Sequence, residues 1–259
     1  MKIKEFISTL PNTVIIGDSV VIPDDFIRKM FLISNLSKDD VFYHLGIGNN
    51  PSTLQIAIEE FKVKKAVGID INATVIGEIK SKTKIINNVY AVHENVSRCS
   101  LSEATVIFSW FTDEKINKLL SEKFESELDN GARIISIWSP PALFIPDKID
   151  FPILVCEKPF KIGVDIKDQL KAIYKSDCID FTASWNLADR YIKSFGTVDS
   201  RHHRFLNILQ SLIIWFNARD LGIACENEIP PPVKSYVEIL KYFFNIDLTD
   251  FYRGEKRIY

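Results

Sequence analysis

His44-Leu45-Gly46-Ile47-Gly48-Asn49-Asn50 is the stretch on which the fold of this chain turns. Before it lies the short apolar run Val41-Phe42-Tyr43. After it, Leu54, Ala57 and Ile58 are spaced for one apolar face of a helix over Thr53 to Phe61. Glycines at 46 and 48 allow a sharp turn and let a ligand approach the backbone with no Cβ in the way. A helix starting just behind such a turn offers N–H groups to a carboxylate or phosphate. Lys65-Ala66-Val67-Gly68-Ile69-Asp70 then reads as a second strand, ending on an acid placed to accept hydrogen bonds from two ribose hydroxyls. A lone Gly-x-Gly says little; strand, glycine turn, helix, strand and Asp in that order point to a nucleoside cofactor.

The alternation continues on both sides. Asp24-Asp25 opens a helix running to about Ser34, with Phe26, Met30 and Phe31 on one face and carboxylates at the positive end of the dipole. Val14-Ile15-Ile16 before Gly17-Asp18 reads as a short strand. Downstream come a helix over Thr74 to Lys80, strands at Asn88 to Val92 and Ala104 to Phe108, a helix over Glu114 to Leu128, and a strand at Ala132 to Ile137. Gly131 suits a left-handed position after that last helix. Strands separated by helices of this length imply crossovers, hence a doubly wound, mainly parallel α/β sheet covered on both faces. After Trp138 the texture changes. Ser139-Pro140-Pro141 and Pro146-Asp147 mark loops, Phe151 to Cys156 reads as a last strand, and the pattern is helical from about Asp168. A Rossmann-like domain over residues 1–160 followed by an α-helical domain over 161–259 is expected.

The chain has 259 residues, 46% of them hydrophobic and 25% charged, which is the composition of an ordinary globular protein. A net charge of −2 offers no general attraction to nucleic-acid backbones or anionic membranes. No apolar run reaches the about 20 residues a membrane span needs, and the first twenty residues are too polar for a signal peptide. The four cysteines, Cys99, Cys156, Cys178 and Cys225, form no Cys-x-x-Cys pair. Reduced, buried thiols, no metal cluster and a cytoplasmic location are the expectation.

Two further blocks carry a resemblance. Ile22-Pro23-Asp24-Asp25-Phe26-Ile27-Arg28-Lys29-Met30 and Asp40-Val41-Phe42-Tyr43-His44-Leu45-Gly46 resemble the lead-in of the archaeal class I (seven-β-strand) protein-lysine methyltransferases. Ser102-Glu103-Ala104-Thr105-Val106-Ile107 and Leu128-Asp129-Asn130-Gly131-Ala132-Arg133-Ile134-Ile135-Ser136 are similar to that family's fourth and fifth strand segments. The similarity spans about residues 20–150. It implies a Rossmann-like fold and S-adenosyl-L-methionine as cofactor, with a protein or small-molecule methyl acceptor. Gly46 and Gly48 then turn against the methionine part of the cofactor, with Asn49 and Asn50 closing the turn. Asp70 holds the ribose, Asn95 reads the adenine amino group, and Ile71 and Glu94 are further cofactor-binding candidates. Asn95 stands where the family has an Asp, and its side-chain oxygen still accepts a hydrogen bond. Trp110 falls at an aromatic position beside the methyl-transfer channel.

Two positions depart from the pattern. His44 stands where the family has an acid, and an imidazole accepts only when neutral. Asn50-Pro51 replaces a third glycine; S-adenosylmethionine has no pyrophosphate to cradle, so that loss is tolerable. A lysine acceptor must shed its proton before attacking a methyl group, which an apolar aromatic channel favours by disfavouring the charged form. Trp110, Phe111 and Trp138 are the wall residues expected; plugging of the sheet by Trp110 and Trp138 is an equal alternative. Glu94 and Asp113 lie near the expected pocket mouth. Two other readings stay open: a catalytically degenerate methyltransferase-fold binding or scaffold protein, motivated by His44 and Asn50-Pro51, and an NAD-dependent oxidoreductase on the same geometry. Arg201-His202-His203-Arg204 reads as a solvated helix start with no carboxylate partner evident, Arg253, Lys256 and Arg257 as a charged tail, and Asn227 to Pro232 as a stiff connector.

Overall fold

The run Val41–Leu45 becomes strand β1, buried at every position but the first. This computed structural model describes residues 22–111, 113–195, 199–225, 231–245 and 247. The expected strand at Val14 to Ile16, the tail arginines and lysine, and most of the connector from Asn227 lie outside the described residues. The chain divides into two compact units, the first spanning Val21–Tyr174 and the second including Lys175 onward.

In the first unit, helix α1 (Asp24–Ile33) precedes β1, followed by α2 (Ser52–Glu59), β2 (Lys65–Asp70), α3 (Ala73–Thr83), β3 (Val89–His93), β4 (Val106–Ser109), α4 (Glu114–Glu127) and β5 (Arg133–Ile137). Then come β6 (Phe144–Ile145), β7 (Lys148–Asp150), β8 (Ile153–Glu157), β9 (Lys161–Ile162) and α5 (Ile166–Tyr174). Seven strands form one sheet in the order β3-β2-β1-β4-β5-β8-β7. The five strands β1 to β5 run parallel, β8 is antiparallel to β5, and β7 is antiparallel to β8. This is the doubly wound, mainly parallel sheet expected from the sequence. Strand order reverses between β1 and β4, which makes their carboxyl ends the ligand-binding position of such a sheet.

Period-two alternation divides the buried side chains between the two faces. Tyr43, Leu45, Val67, Ile69, Ile107 and Ile134 join one core with Leu120 and Phe124 of α4. Phe42 points the other way, and its ring meets Phe31 of α1 edge-on with centroids 5.0 Å apart. At the amino end of the strands, Arg133 donates to Ser34 O and Asn35 O, each at 2.7 Å, and pairs with the buried Asp40. Asp40 also accepts from Thr105 Oγ1 at 2.7 Å, so one carboxylate ties together β1, β4 and β5. Gln169 of α5 donates to Pro141 O and Phe144 O, both at 2.9 Å, which fastens that helix to the sheet unit.

The second unit is helical: α6 (Phe181–Phe195), α7 (Ser200–Asp220) and α8 (Pro231–Phe244). Trp215, Leu212 and Phe216 of α7 bury against Val233, Val237 and Leu240 of α8, with Phe181 and Trp185 of α6 packed on them. The expectation of four reduced cysteines is corrected here, because Cys178 and Cys225 form a disulfide across a separation of 47 residues. Their neighbours explain it: Ile179 N–H donates to Ile223 O at 3.0 Å and Cys225 N–H to Ile179 O at 3.1 Å, bringing the two segments side by side. Cys99 and Cys156 are free and buried, as expected. The Arg201 cluster does open a helix, and it has the carboxylate partner that was not evident in the sequence: Asp199 caps α7 and pairs with Arg201 at 2.7 Å.

Candidate active site

The glycine turn leaves β1 at the reversal of strand order. Gly46 and Ile47 donate their N–H groups to Ile69 O at 2.8 and 3.1 Å, which pins the turn to the end of β2. Both glycines take left-handed backbone, φ +72° at Gly46 and +62° at Gly48. A Cβ on Gly48 would meet nothing within 4 Å, so the backbone there is open to an incoming group. A Cβ on Gly46 would lie 2.9 Å from Phe111 Cζ, so the Phe111 ring lies against that glycine from the end of β4. The backbone carbonyl of Phe111 accepts from Asn117 Nδ2 at 2.8 Å, which steadies its loop against α4.

Asp70 joins the two loops at this edge. Its Oδ2 accepts from Gly48 N–H at 3.0 Å and its Oδ1 from Asn72 N–H at 2.9 Å. Each carboxylate oxygen keeps acceptor capacity, because an ionised carboxylate has about four lone-pair sites. Ile71 follows with 67% of its surface exposed, an apolar platform beside that acid. His93 at the end of β3 holds Ile71 O through Nε2 at 3.0 Å. Glu94 accepts the N–H of Asn95 at 2.8 Å, and Asn95 Oδ1 accepts from Ser97 N–H at 2.9 Å, which occupies one of its two lone pairs.

The start of α2 differs from a simple row of free donors. Pro51 is the N-cap residue and has no N–H, while Asn50 Oδ1 takes the Ser52 N–H at 3.0 Å. Asn49 O accepts from Lys82 Nζ at 3.0 Å. His44 is buried, with Nδ1 2.8 Å from Thr53 Oγ1 in the first turn of α2 and its ring 4.6 Å from that of Phe108. Burial lowers its pKa from 6.5 to about 3, so the imidazole is neutral at physiological pH.

The aromatic candidates fall at the same end of the sheet. Trp110 and Phe111 follow β4, and Trp138 follows β5; all three are half-buried. Trp138 has left-handed φ of +72°, donates its N–H to Pro152 O at 2.7 Å, and sets its ring 5.5 Å from that of Phe151. Phe151 in turn meets Tyr174 of α5 edge-on at 5.7 Å. Asp113 serves as the N-cap of α4, accepting from Ile116 N–H at 3.0 Å. Thr53, Phe151 and Tyr174 were not singled out in the sequence. Thr53 carried a usable signal, a hydroxyl in the first turn of the helix after the glycines. Phe151 and Tyr174 carried none, since their pairing with Trp138 is set by the antiparallel β5–β8 register and by the return of α5.

No protein-family model matches the chain. A protein-lysine N-methyltransferase of Saccharolobus islandicus (strain REY15A) is 35% identical to it over 117 residues, covering 44% of this chain and 71% of that protein. Among solved structures, an RNA methyltransferase from Salinibacter ruber in complex with S-adenosyl-L-homocysteine superposes with a TM-score of 0.51 at 21% identity. That likeness covers 56% of this chain and 98% of that one, and concerns the fold alone.

Proposed function

Because this chain belongs to the class I S-adenosylmethionine-dependent methyltransferase family, together with the protein-lysine N-methyltransferase of Saccharolobus islandicus, we propose that it methylates lysine side chains of proteins. The observation that carries the cofactor half of this reading is the Asp70 carboxylate, fixed by Gly48 and Asn72 beside an open glycine turn. The acceptor half rests on the name of that relative.

The residues present fit the cofactor. Asp70 retains lone pairs for two ribose hydroxyls, Ile71 offers an apolar surface for the base, and the missing side chain at Gly48 leaves room against the turn. Asn95 keeps one lone pair for an adenine amino group. A pyrophosphate would find few partners at α2, where Pro51 lacks an N–H and the Ser52 N–H is already engaged. That favours S-adenosylmethionine over a dinucleotide. When bound, it supplies a methyl group on a positively charged sulfur. Trp110, Phe111 and Trp138 wall the acceptor's approach, keep water from it, and favour the neutral amine over the ammonium. The amine nitrogen needs to be held in line, about 3–3.5 Å from the methyl carbon. With the cofactor bound, these walls would present the neutral amine to its methyl group, the proton shed by the amine having passed to solvent.

The test is incubation of the purified chain with methyl-labelled S-adenosylmethionine and a panel of lysine-rich proteins, followed by acid hydrolysis. Label in methyl-lysines, abolished by Asp70→Ala, is the expected result. Label in nucleic acid or a small molecule alone would move the acceptor elsewhere. No transfer to any acceptor, with cofactor still bound, would favour the scaffold reading.

A further inference from the structure

His44 and Thr53 form a buried hydrogen-bonded pair next to the glycine turn. The residues are 7% and 3% exposed, and the one hydrogen bond either side chain makes among the described residues is the 2.8 Å contact between Nδ1 and Oγ1. Alternation along β1 puts Tyr43 and Leu45 into the core with α4, so the His44 ring stands on the opposite face, against the first turn of α2. Two arrangements of hydrogens are available. If Nδ1 carried the proton and donated to Thr53, the threonine O–H would be left buried without an acceptor. If Thr53 donates to a bare Nδ1, its hydroxyl is satisfied and the imidazole proton sits on Nε2. The first arrangement leaves two groups unused, the Thr53 O–H and the Nε2 lone pair, and the second leaves only the Nε2 N–H; an unmade buried hydrogen bond costs about 1–3 kcal/mol, so the second arrangement wins.

Nε2 then becomes an N–H donor with no protein partner among the described residues. Nearby, the start of α2 has lost donors: Pro51 has no N–H, and Ser52 N–H is held by Asn50 Oδ1. A carboxylate arriving at this helix start lacks part of its usual set of donors. We infer that Thr53 fixes His44 in its Nε2–H tautomer, and that this N–H binds the carboxylate of the cofactor's amino-acid end. The position thus presents a neutral donor where an acid would present an acceptor. This rests on the reading of the site as one for S-adenosylmethionine. Thr53 is a positioning residue acting through His44.

The experiment has two parts. Nitrogen-15 NMR of the imidazole in the wild type reads the tautomer directly: a protonated Nε2 is expected, and a protonated Nδ1 overturns the inference. Calorimetric titration then compares S-adenosylhomocysteine with its decarboxylated analogue. His44→Phe is expected to weaken S-adenosylhomocysteine about tenfold, the worth of one hydrogen bond to a charged group, and to leave the analogue unchanged. Thr53→Val is expected to mix the tautomers and lower affinity for S-adenosylhomocysteine alone, with Thr53→Ser restoring it. Equal losses on both ligands would show a merely structural role and sink the inference while the cofactor reading stands. Binding of neither ligand to the wild type would overturn both.

Discussion

Gly46 and Gly48 share a left-handed backbone but not their surroundings. At Gly48 an added methyl group meets open space, so Gly48→Ala carries only the conformational cost, about 1–2 kcal/mol. At Gly46 the same methyl group also lands 2.9 Å from Phe111 Cζ and must displace that ring. Chemical denaturation should therefore find Gly46→Ala less stable than Gly48→Ala, and a Phe111→Ala background should narrow the gap. If the gap survives that background, Phe111 is not what Gly46 makes room for. His44 gives a second prediction at this scale. Burial lowers its pKa to about 3 from 6.5, so the unfolded chain takes up a proton that the folded chain refuses as pH falls below about 6.5. The stability is present above that pH and is lost as pH falls toward 3. Between pH 7 and 5 the loss is about 2 kcal/mol at ~1.4 kcal/mol per pK unit. Urea midpoints at the two pH values should show the wild type losing more than His44→Asn; parallel losses would mean the ring is charged in the fold.

At the scale of the element, β2 is shaped by Gly68. A Cβ there would lie 2.4 Å from Ile47 Cδ1 and 3.1 Å from Leu54 Cδ1, so the absence of a side chain on the strand gives the glycine turn and α2 their seat. Gly68→Ala should cost about 1 kcal/mol, the low end for overpacking because the ends of flexible side chains yield first. It should also weaken S-adenosylhomocysteine binding by shifting Ile47 within the turn. An unchanged affinity in a folded variant would separate strand packing from the site. This coupling marks the limit of what the sequence discloses. Strands β1, β2, β4 and β5 were readable because each is a short apolar run with a crossover helix beside it. Gly46, Gly48 and Asp70 were readable because their spacing follows local chain geometry. The two-residue β6 and β9 and the three-residue β7 were not, since elements so short have no period to detect and exist only through their pairing. Phe111 lying on Gly46, and Ile47 filling the space at Gly68, depend on neighbouring strands meeting in register. Hydrophobic pattern alone does not encode that contact.

For the whole molecule, the two units are held by different means. The sheet unit relies on a continuous apolar core and on the Asp40–Arg133 pair, and its Cys99 and Cys156 are free and buried. Cys156 lies within that core, where burial pushes its thiol pKa well above the usual range and leaves it unreactive. The helical unit adds a covalent link, Cys178–Cys225, which encloses α6 and α7 in one loop with a sequence separation of 47. Closing a loop of that length removes entropy from the unfolded chain worth about 4 kcal/mol in the chain-entropy picture. The helical unit should therefore respond to reductant and the sheet unit should not. Hydrogen exchange with and without dithiothreitol is the measurement. Amide protection in α6 and α7 should fall by about two to three orders of magnitude, the equivalent of that energy, while β4 and β5 hold theirs. The double variant Cys178→Ser, Cys225→Ser should start at the reduced level and ignore the reagent. Were protection in β4 to fall with that in α7, the link would serve the whole chain as one cooperative body. Were neither to change, the paired backbone at Ile179 and Cys225 would be holding the segment without help from the sulfurs.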